Sequence, residues 1–213
     1  MKNIKKRLLS LVLAVVMVLS MSMSVFAADA EPVSTKVNVK FYINKEVEEY
    51  GATLPTSGYI DAGNNMLESA TFPVDISDIT KCPVTKPDGF VGLFDKATKY
   101  VPTAFDAIYD AAVTQKGESN EEFVYGFDTL YTKPQENGIY VQSLSGLSTN
   151  TLETDNASYW LGTSWSFYVI PQGATFNPAD PDDTYLSEMY PNNIDLQAGK
   201  TYCMIYKLNE QTW

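Results

Sequence analysis

Period-two alternation is the feature that most limits what this chain can become. In "KVNVKFYIN", Val37, Val39, Phe41 and Ile43 fall on one side of an extended backbone, with Lys36, Asn38, Lys40 and Tyr42 on the other. Successive side chains of a strand point to opposite faces, so this spacing suits a half-buried strand and no amphipathic helix. "SWSFYVI" at 164–170 repeats it, setting Trp165, Phe167 and Val169 against Ser164, Ser166, Tyr168 and Ile170. In "TYCMIYKL", at 201–208, Tyr202, Met204 and Tyr206 oppose Cys203 and Ile205. "EFVYGFDTLY" aligns Phe123, Tyr125 and Phe127, and "GIYVQSL" at 138–144 follows the turn signal Glu136-Asn137-Gly138.

One segment follows the helical period instead. Phe105, Ile108, Tyr109 and Ala112 recur at i, i+3, i+4 and i+7, which places them on one stripe. Thr103 is suited to cap the N-terminus, with Asp106 three residues on in a shortened capping box. Lys116 suits the C-terminal end and Gly117 can terminate it. The spacing predicts a helix over about 103–115. One helix among non-local strands predicts an α+β domain. Residues 46–100 are punctuated by Gly51, Pro55, Gly58, Pro73, Pro83 and Pro87-Asp88-Gly89. They read as a loop-rich insertion with brief strands at "SATFPVDI" and "GFVGLF".

The first 27 residues read as an address. Lys2, Lys5, Lys6 and Arg7 precede an apolar run from Leu8 to Val18, and Val25-Phe26-Ala27 offers a small-residue cleavage site. The expected organisation is a signal peptide at 1–27, a flexible leader at 28–35 and a single domain at 36–213. A freely secreted, extracellular protein follows, with no membrane attachment after cleavage. The chain has 15 basic residues, four of which lie in the signal peptide, against 26 acidic. That balance disfavours nucleic acid and anionic membrane surfaces as partners.

Histidine is absent. Ser-His-Asp and Cys-His catalysis are therefore excluded, as is an imidazole zinc site. An enzyme would have to rely on carboxylates, tyrosine, lysine or a carboxylate-bound metal. The two cysteines, Cys82 and Cys203, would meet oxidising conditions after export, so a disulfide and two buried thiols are both open readings.

Other motifs carry less. "AGKT" at 198–201 ends like a phosphate-binding loop, but Ile194 stands where the first glycine belongs and a strand follows. "NPADPDDTYL" brings Asp180, Asp182 and Asp183 near Asn177 as weak calcium candidates, without the spacing of an EF-hand; a solvated acidic loop is the preferred reading. Paired carboxylates for glycoside cleavage depend on separation in space, which the sequence does not show.

The densest aromatic stretch is "SYWLGTSWSFYV", residues 158–169, broken by Gly162-Thr163. Trp165 and Phe167 share the inner face of an alternating strand and read as core. Tyr168 faces the other way. Tyr159 and Trp160 precede the break, where a strand can bulge or bend, and are the better candidates for exposure.

The ordered segments "TAFDAIYDAA", "NGIYVQSLSGL" (137–147), "SYWLGTSWSFYV" and "DLQAGKTYCMIY" (195–206) resemble the transcobalamin-like C-terminal domain family of bacterial exported domains. Tyr140, Val141, Leu144 and Gly146 match one family motif, and Tyr159, Trp160, Tyr168 and Val169 match another that residues 161–167 lengthen. The resemblance covers about 100–208 and leaves residues 46–100 without a counterpart. It implies a compact β-grasp-like domain in which one main helix packs on a mixed sheet. It also implies binding rather than catalysis, with a corrinoid (cobalamin-like) molecule or another small molecule as ligand and no required cofactor.

The resulting expectation is a monomeric, secreted, non-enzymatic module with Tyr140, Tyr159, Trp160 and Tyr168 as ligand contacts. The alternative is an extracellular structural or adhesive domain that binds a protein or a cell-wall glycan. A carboxylate-based hydrolase comes third.

Overall fold

The segments with the cleanest alternation form the middle of the main sheet. The computed structural model describes residues 35–54, 60–63, 66–69, 71–90, 95–96, 99–129, 132–133, 136–155 and 158–212. In chain order the strands begin with β1 (Lys36–Asn44), β2 (Ile60–Gly63), β3 (Met66–Ser69), β4 (Phe72–Asp75), β5 (Asp95–Lys96) and β6 (Lys99–Tyr100). Helix α1 (Ala104–Tyr109) continues as a π-helical turn, Asp110–Gln115. Then come β7 (Val124–Asp128), β8 (Gly138–Leu144), β9 (Leu147–Ser148), β10 (Asn150–Thr154), β11 (Tyr159–Ile170) and β12 (Thr201–Thr212). The described residues form an α+β fold, a mixed sheet with one main helix. The expected signal peptide, the expected leader apart from Thr35, and most of "GFVGLF" lie outside the described residues. No described helix is long and apolar enough to cross a membrane.

The main sheet runs β10-β11-β12-β1-β3-β2, with β4 also paired to β1. β12 lies parallel to β1, from Asn38 opposite Thr201 to Ile43 opposite Tyr206. On its other side it is antiparallel to β11 along the whole strand, from Tyr159 opposite Thr212 to Ile170 opposite Thr201. A central strand covered on both faces must be apolar on both. Tyr202, Met204 and Tyr206 join Val37, Val39, Phe41, Ile43, Trp165 and Phe167 in the core beneath the helix. Cys203 and Ile205 join Tyr42, Tyr168 and Ile170 on the opposite face, where Phe176 and Tyr185 of the following loop pack over them.

The helix approaches this sheet through small residues. Ala104, Ala107, Ala111 and Ala112 are buried with Phe105 and Ile108. Gly117, at φ 73°, ends the helical run as expected. The three strands β7-β8-β9 form a second sheet; Phe123, just before β7, and Tyr125 within it contact the Phe105 ring at 6.4 and 5.6 Å.

The start of the helix is held by a buried acid. Asp106 Oδ2 accepts from the Thr103 amide (2.7 Å), the Thr103 hydroxyl (3.0 Å) and the Tyr100 phenol (2.5 Å). Its Oδ1 is buried without a partner. Burial, only partly offset by these hydrogen bonds, raises the carboxyl above its ordinary 3.8. Between 3.8 and the raised value the folded protein retains a proton that the unfolded chain has released. The contribution of this group to stability is therefore full below the unfolded pKa and lost as pH climbs through the folded one. Urea titrations from pH 4 to 7 are expected to show this loss, and Asp106→Asn is expected to flatten it relative to wild type.

Of the two open readings for the cysteines, the structure takes the unbridged one. Cys82 and Cys203 are both thiols. Alternation along β12 turns Cys203 to the face away from the helix, whereas Cys82 packs against the helix-side core, so the sheet separates them. Burial raises the Cys82 thiol above its ordinary value. Thiol titration of the purified chain is expected to find two reactive groups after denaturation, with Cys203 unreactive before it.

Candidate functional site

The site begins where a strand leaves its sheet. β10 pairs with β11 only as far as Asn150 opposite Thr163. One residue earlier, the Thr149 amide donates to the Gln142 carbonyl of the second sheet (3.1 Å), and β9 pairs with β8. The segment 147–154 thus belongs to one sheet at its start and to the other at its end. Further along β11, the loop after it returns: the Ser187 amide donates to the Phe167 carbonyl (2.9 Å) and Leu186 bridges Tyr168. The β11 edge lies open between these two points.

A groove of about 500 Å³ follows that open edge. Trp165 and Phe167, 9% and 7% exposed, form its floor with Met204. Tyr140, Leu186 and Met189, 40–47% exposed, form an apolar rim. Ser164, Ser166 and Asn209 make a polar flank. There the Asn209 amide donates to Ser164 Oγ (2.9 Å) and the Ser166 hydroxyl donates to Asn209 Oδ1 (3.1 Å). Glu188 is the carboxylate among the described lining residues.

Two glycines seat the aromatic wall. A β-carbon on Gly138 would collide with the Tyr190 ring at its base, and one on Gly126 would collide with the far end of the Tyr140 ring. Tyr190 then donates to Asp128 Oδ2 (2.5 Å). Burial, with the Asp128 carboxylate beside it, pushes the Tyr190 phenol up to about 12, so it stays a donor at neutral pH. The turn that follows is clamped to β8. Asn192 Oδ1 accepts from the Ile139 amide (2.5 Å), while the Asn192 and Asn193 side-chain amides donate to the Asn137 carbonyl (3.1 and 3.2 Å). The Leu186–Pro191 wall is therefore anchored at both ends.

The sequence-derived candidates divide. Tyr140 lines the groove. Tyr159 and Trp160 are half-buried at the far end of β11, where the Trp160 indole donates to Thr151 Oγ1 (3.0 Å) and its ring lies over Gly162. Tyr168 is corrected as a ligand contact. It is fully buried on the opposite face against Phe176, and its hydroxyl has no hydrogen-bond partner. The weak calcium candidates Asp180, Asp182 and Asp183 are exposed in the loop after β11. Asp182 caps the turn Asp183–Tyr185 by accepting from the Thr184 amide (2.9 Å), which holds its carboxyl below the usual range. Among the described residues no group of three or more potential ligands is placed to hold a metal. Trp165 and Phe167 are core residues, as read, but one side of each faces the groove. Leu186, Met189 and Tyr190 were missed as site residues; the apolar positions inside the otherwise polar loop "DDTYLSEMYPNN" are the signal that could have found them.

A second recess of about 320 Å³ lies beside β4 and is lined by Lys36, Asp75, Asp78 and Asp110. Gln115 spans it, donating to the Pro73 carbonyl and to Asp110 Oδ2, both at 2.9 Å. Comparisons with protein-family models, curated proteins and solved structures find no match to this chain.

The glycine seats generate an ordered expectation. Gly138→Ala forces the base of a tethered ring to move and should cost about 1–3 kcal/mol, in the range of overpacked cores. Gly126→Ala displaces only the tip of an exposed ring and should cost less. Denaturant midpoints of the two variants check the order.

Proposed function

We propose that this chain is a secreted, non-enzymatic binding module that takes an apolar group of its ligand into the groove beside β11. The observation that carries this reading is the exposed rim of Tyr140, Leu186 and Met189 above a floor of Trp165 and Phe167. Concave apolar surfaces with a few fixed polar groups are the usual form of ligand sites. The hydroxyls of Ser164 and Ser166 are held in place by Asn209, so the polar flank is ordered before a ligand arrives. A glycosidase would need two carboxylates facing one another across the site, whereas Glu188 stands alone among the described lining residues.

The parallel contact of β1 with β12 beneath one helix supports the β-grasp reading, and with it the resemblance to the transcobalamin-like domains. That resemblance names a corrinoid as one ligand to test. The adhesive alternative names a cell-wall glycan or a protein segment.

Methyl-labelled methionine is a direct reporter, because Met189 sits on the rim and Met204 in the floor. Cobalamin, soluble cell-wall glycan fragments and short peptides are titrated in turn. At least one is expected to shift both methyl resonances, with Met189→Lys weakening its binding by about tenfold or more, as for loss of a buried contact. If none of the three moves either resonance, or if a bound ligand leaves both unchanged, the groove is not the site.

A further inference from the structure

We infer that the occupant of this groove is an extended peptide segment of a partner protein, laid antiparallel along the open edge of β11 and centred on Trp165. The inference rests on the groove being the binding site and adds the chemistry of what fills it.

The backbone supplies the first argument. Alternate residues of an antiparallel strand turn their N–H and C=O groups to the same edge. The Tyr159 carbonyl accepts from the Asp155 amide and the Phe167 carbonyl from the Ser187 amide, both on the edge away from β12. Trp165, two residues before Phe167, faces the same edge. β10 has ended by then and the loop has not yet arrived, so the Trp165 N–H and C=O are directed to the edge of β11 that the groove follows. Protein backbone groups that are nearly enclosed are normally paired. An extended peptide can satisfy both at once, through the hydrogen bonds of one residue. A purely apolar molecule satisfies neither.

Length and side-chain pattern follow. The open edge covers Ser164, Trp165 and Ser166, about 10 Å at the rise of a strand. Three residues of a guest would face it, and the chain would leave at either end. Directly opposed residues in an antiparallel pair project to the same face. The central guest side chain would therefore lie on the Trp165 side, among Val141, Phe167 and Met204. Its two neighbours would lie on the side of Ser164, Ser166 and Asn209. The groove thus selects a polar–apolar–polar triplet. Glu188 on the wall and a formal charge of −11 for the chain favour basic over acidic flanks. Strand addition of this kind draws affinity from the main chain and specificity from alternate side-chain pockets.

The test uses the full chain and a pool of capped pentapeptides with serine ends, lysine flanks and a central residue varied over the apolar types. The best binder is then resynthesised with its central amide nitrogen methylated, which removes one hydrogen without changing the side chain. Expected results are slowed hydrogen exchange at the Trp165 amide on binding and about tenfold weaker binding of the methylated peptide, the effect of one lost hydrogen bond. Equal affinity of the two peptides, unchanged exchange at Trp165, or no binding from the pool overturns strand pairing. Under any of those outcomes the groove reading still stands if cobalamin or a glycan fragment shifts the Met189 and Met204 methyls. It falls with the peptide if nothing shifts them.

Discussion

Everything else in this structure hangs on β12. The strand is paired along its length to β11 and, over its first half, to β1, so the last described segment of the chain closes the sheet begun by the first. A parallel contact between β1 and β12 cannot form from a hairpin; it needs a long connection, and here that connection carries the helix. Tyr202, Met204 and Tyr206 bury toward the helix while Cys203 and Ile205 bury the other way. The five-residue apolar run of β12 is thus explained by position in the sheet. It is also why the two cysteines are kept apart.

The groove is a by-product of how two sheets share one segment. Residues 147–154 start on β8 and finish on β11, and the crossover is fastened by the core. Trp165 Nε1 donates to the Leu147 carbonyl (2.8 Å) and the Tyr206 hydroxyl to the Ser148 carbonyl (2.7 Å). Those bonds draw the chain inward just where it would otherwise have gone on pairing with β11. The same tryptophan that holds the crossover also lines the groove. Across the gap, Asn192 and Asn193 fix the opposite wall by hydrogen bonds to backbone groups more than fifty residues away. Tethering of this kind holds Leu186 and Met189 in the rim beside the floor.

Much of the framework was legible in the residues. The alternating runs at 36–43, 164–170 and 201–208 are strands facing as read, and the helix begins at the Thr103–Asp106 pair and stops before Gly117. The site was less legible, and "SYWLGTSWSFYV" shows why. Period-two alternation tells which residues share a face, but not how far along a strand its neighbour extends. Tyr159 and Trp160, the better candidates for exposure, are half-buried at the far end of β11, where β10 pairs with Trp160, whose ring lies over Gly162. Tyr168 looked outward because it opposes the core face; the loop after β11 covers it with Phe176.

By itself the sequence determined the local periods, the helix signals, the lack of any histidine and the acidic balance. Those are properties of neighbouring residues or of bulk composition, and they act over a few ångströms of backbone or over the whole surface. Tertiary structure alone decided that Trp165 and Phe167 floor a groove, that Tyr140 and Met189 line it together, and that Cys82 and Cys203 lie on opposite faces of the sheet. Each of these depends on where a strand stops pairing or which side of a sheet a segment crosses. Such events are set by contacts between residues distant in sequence, and no local pattern encodes them.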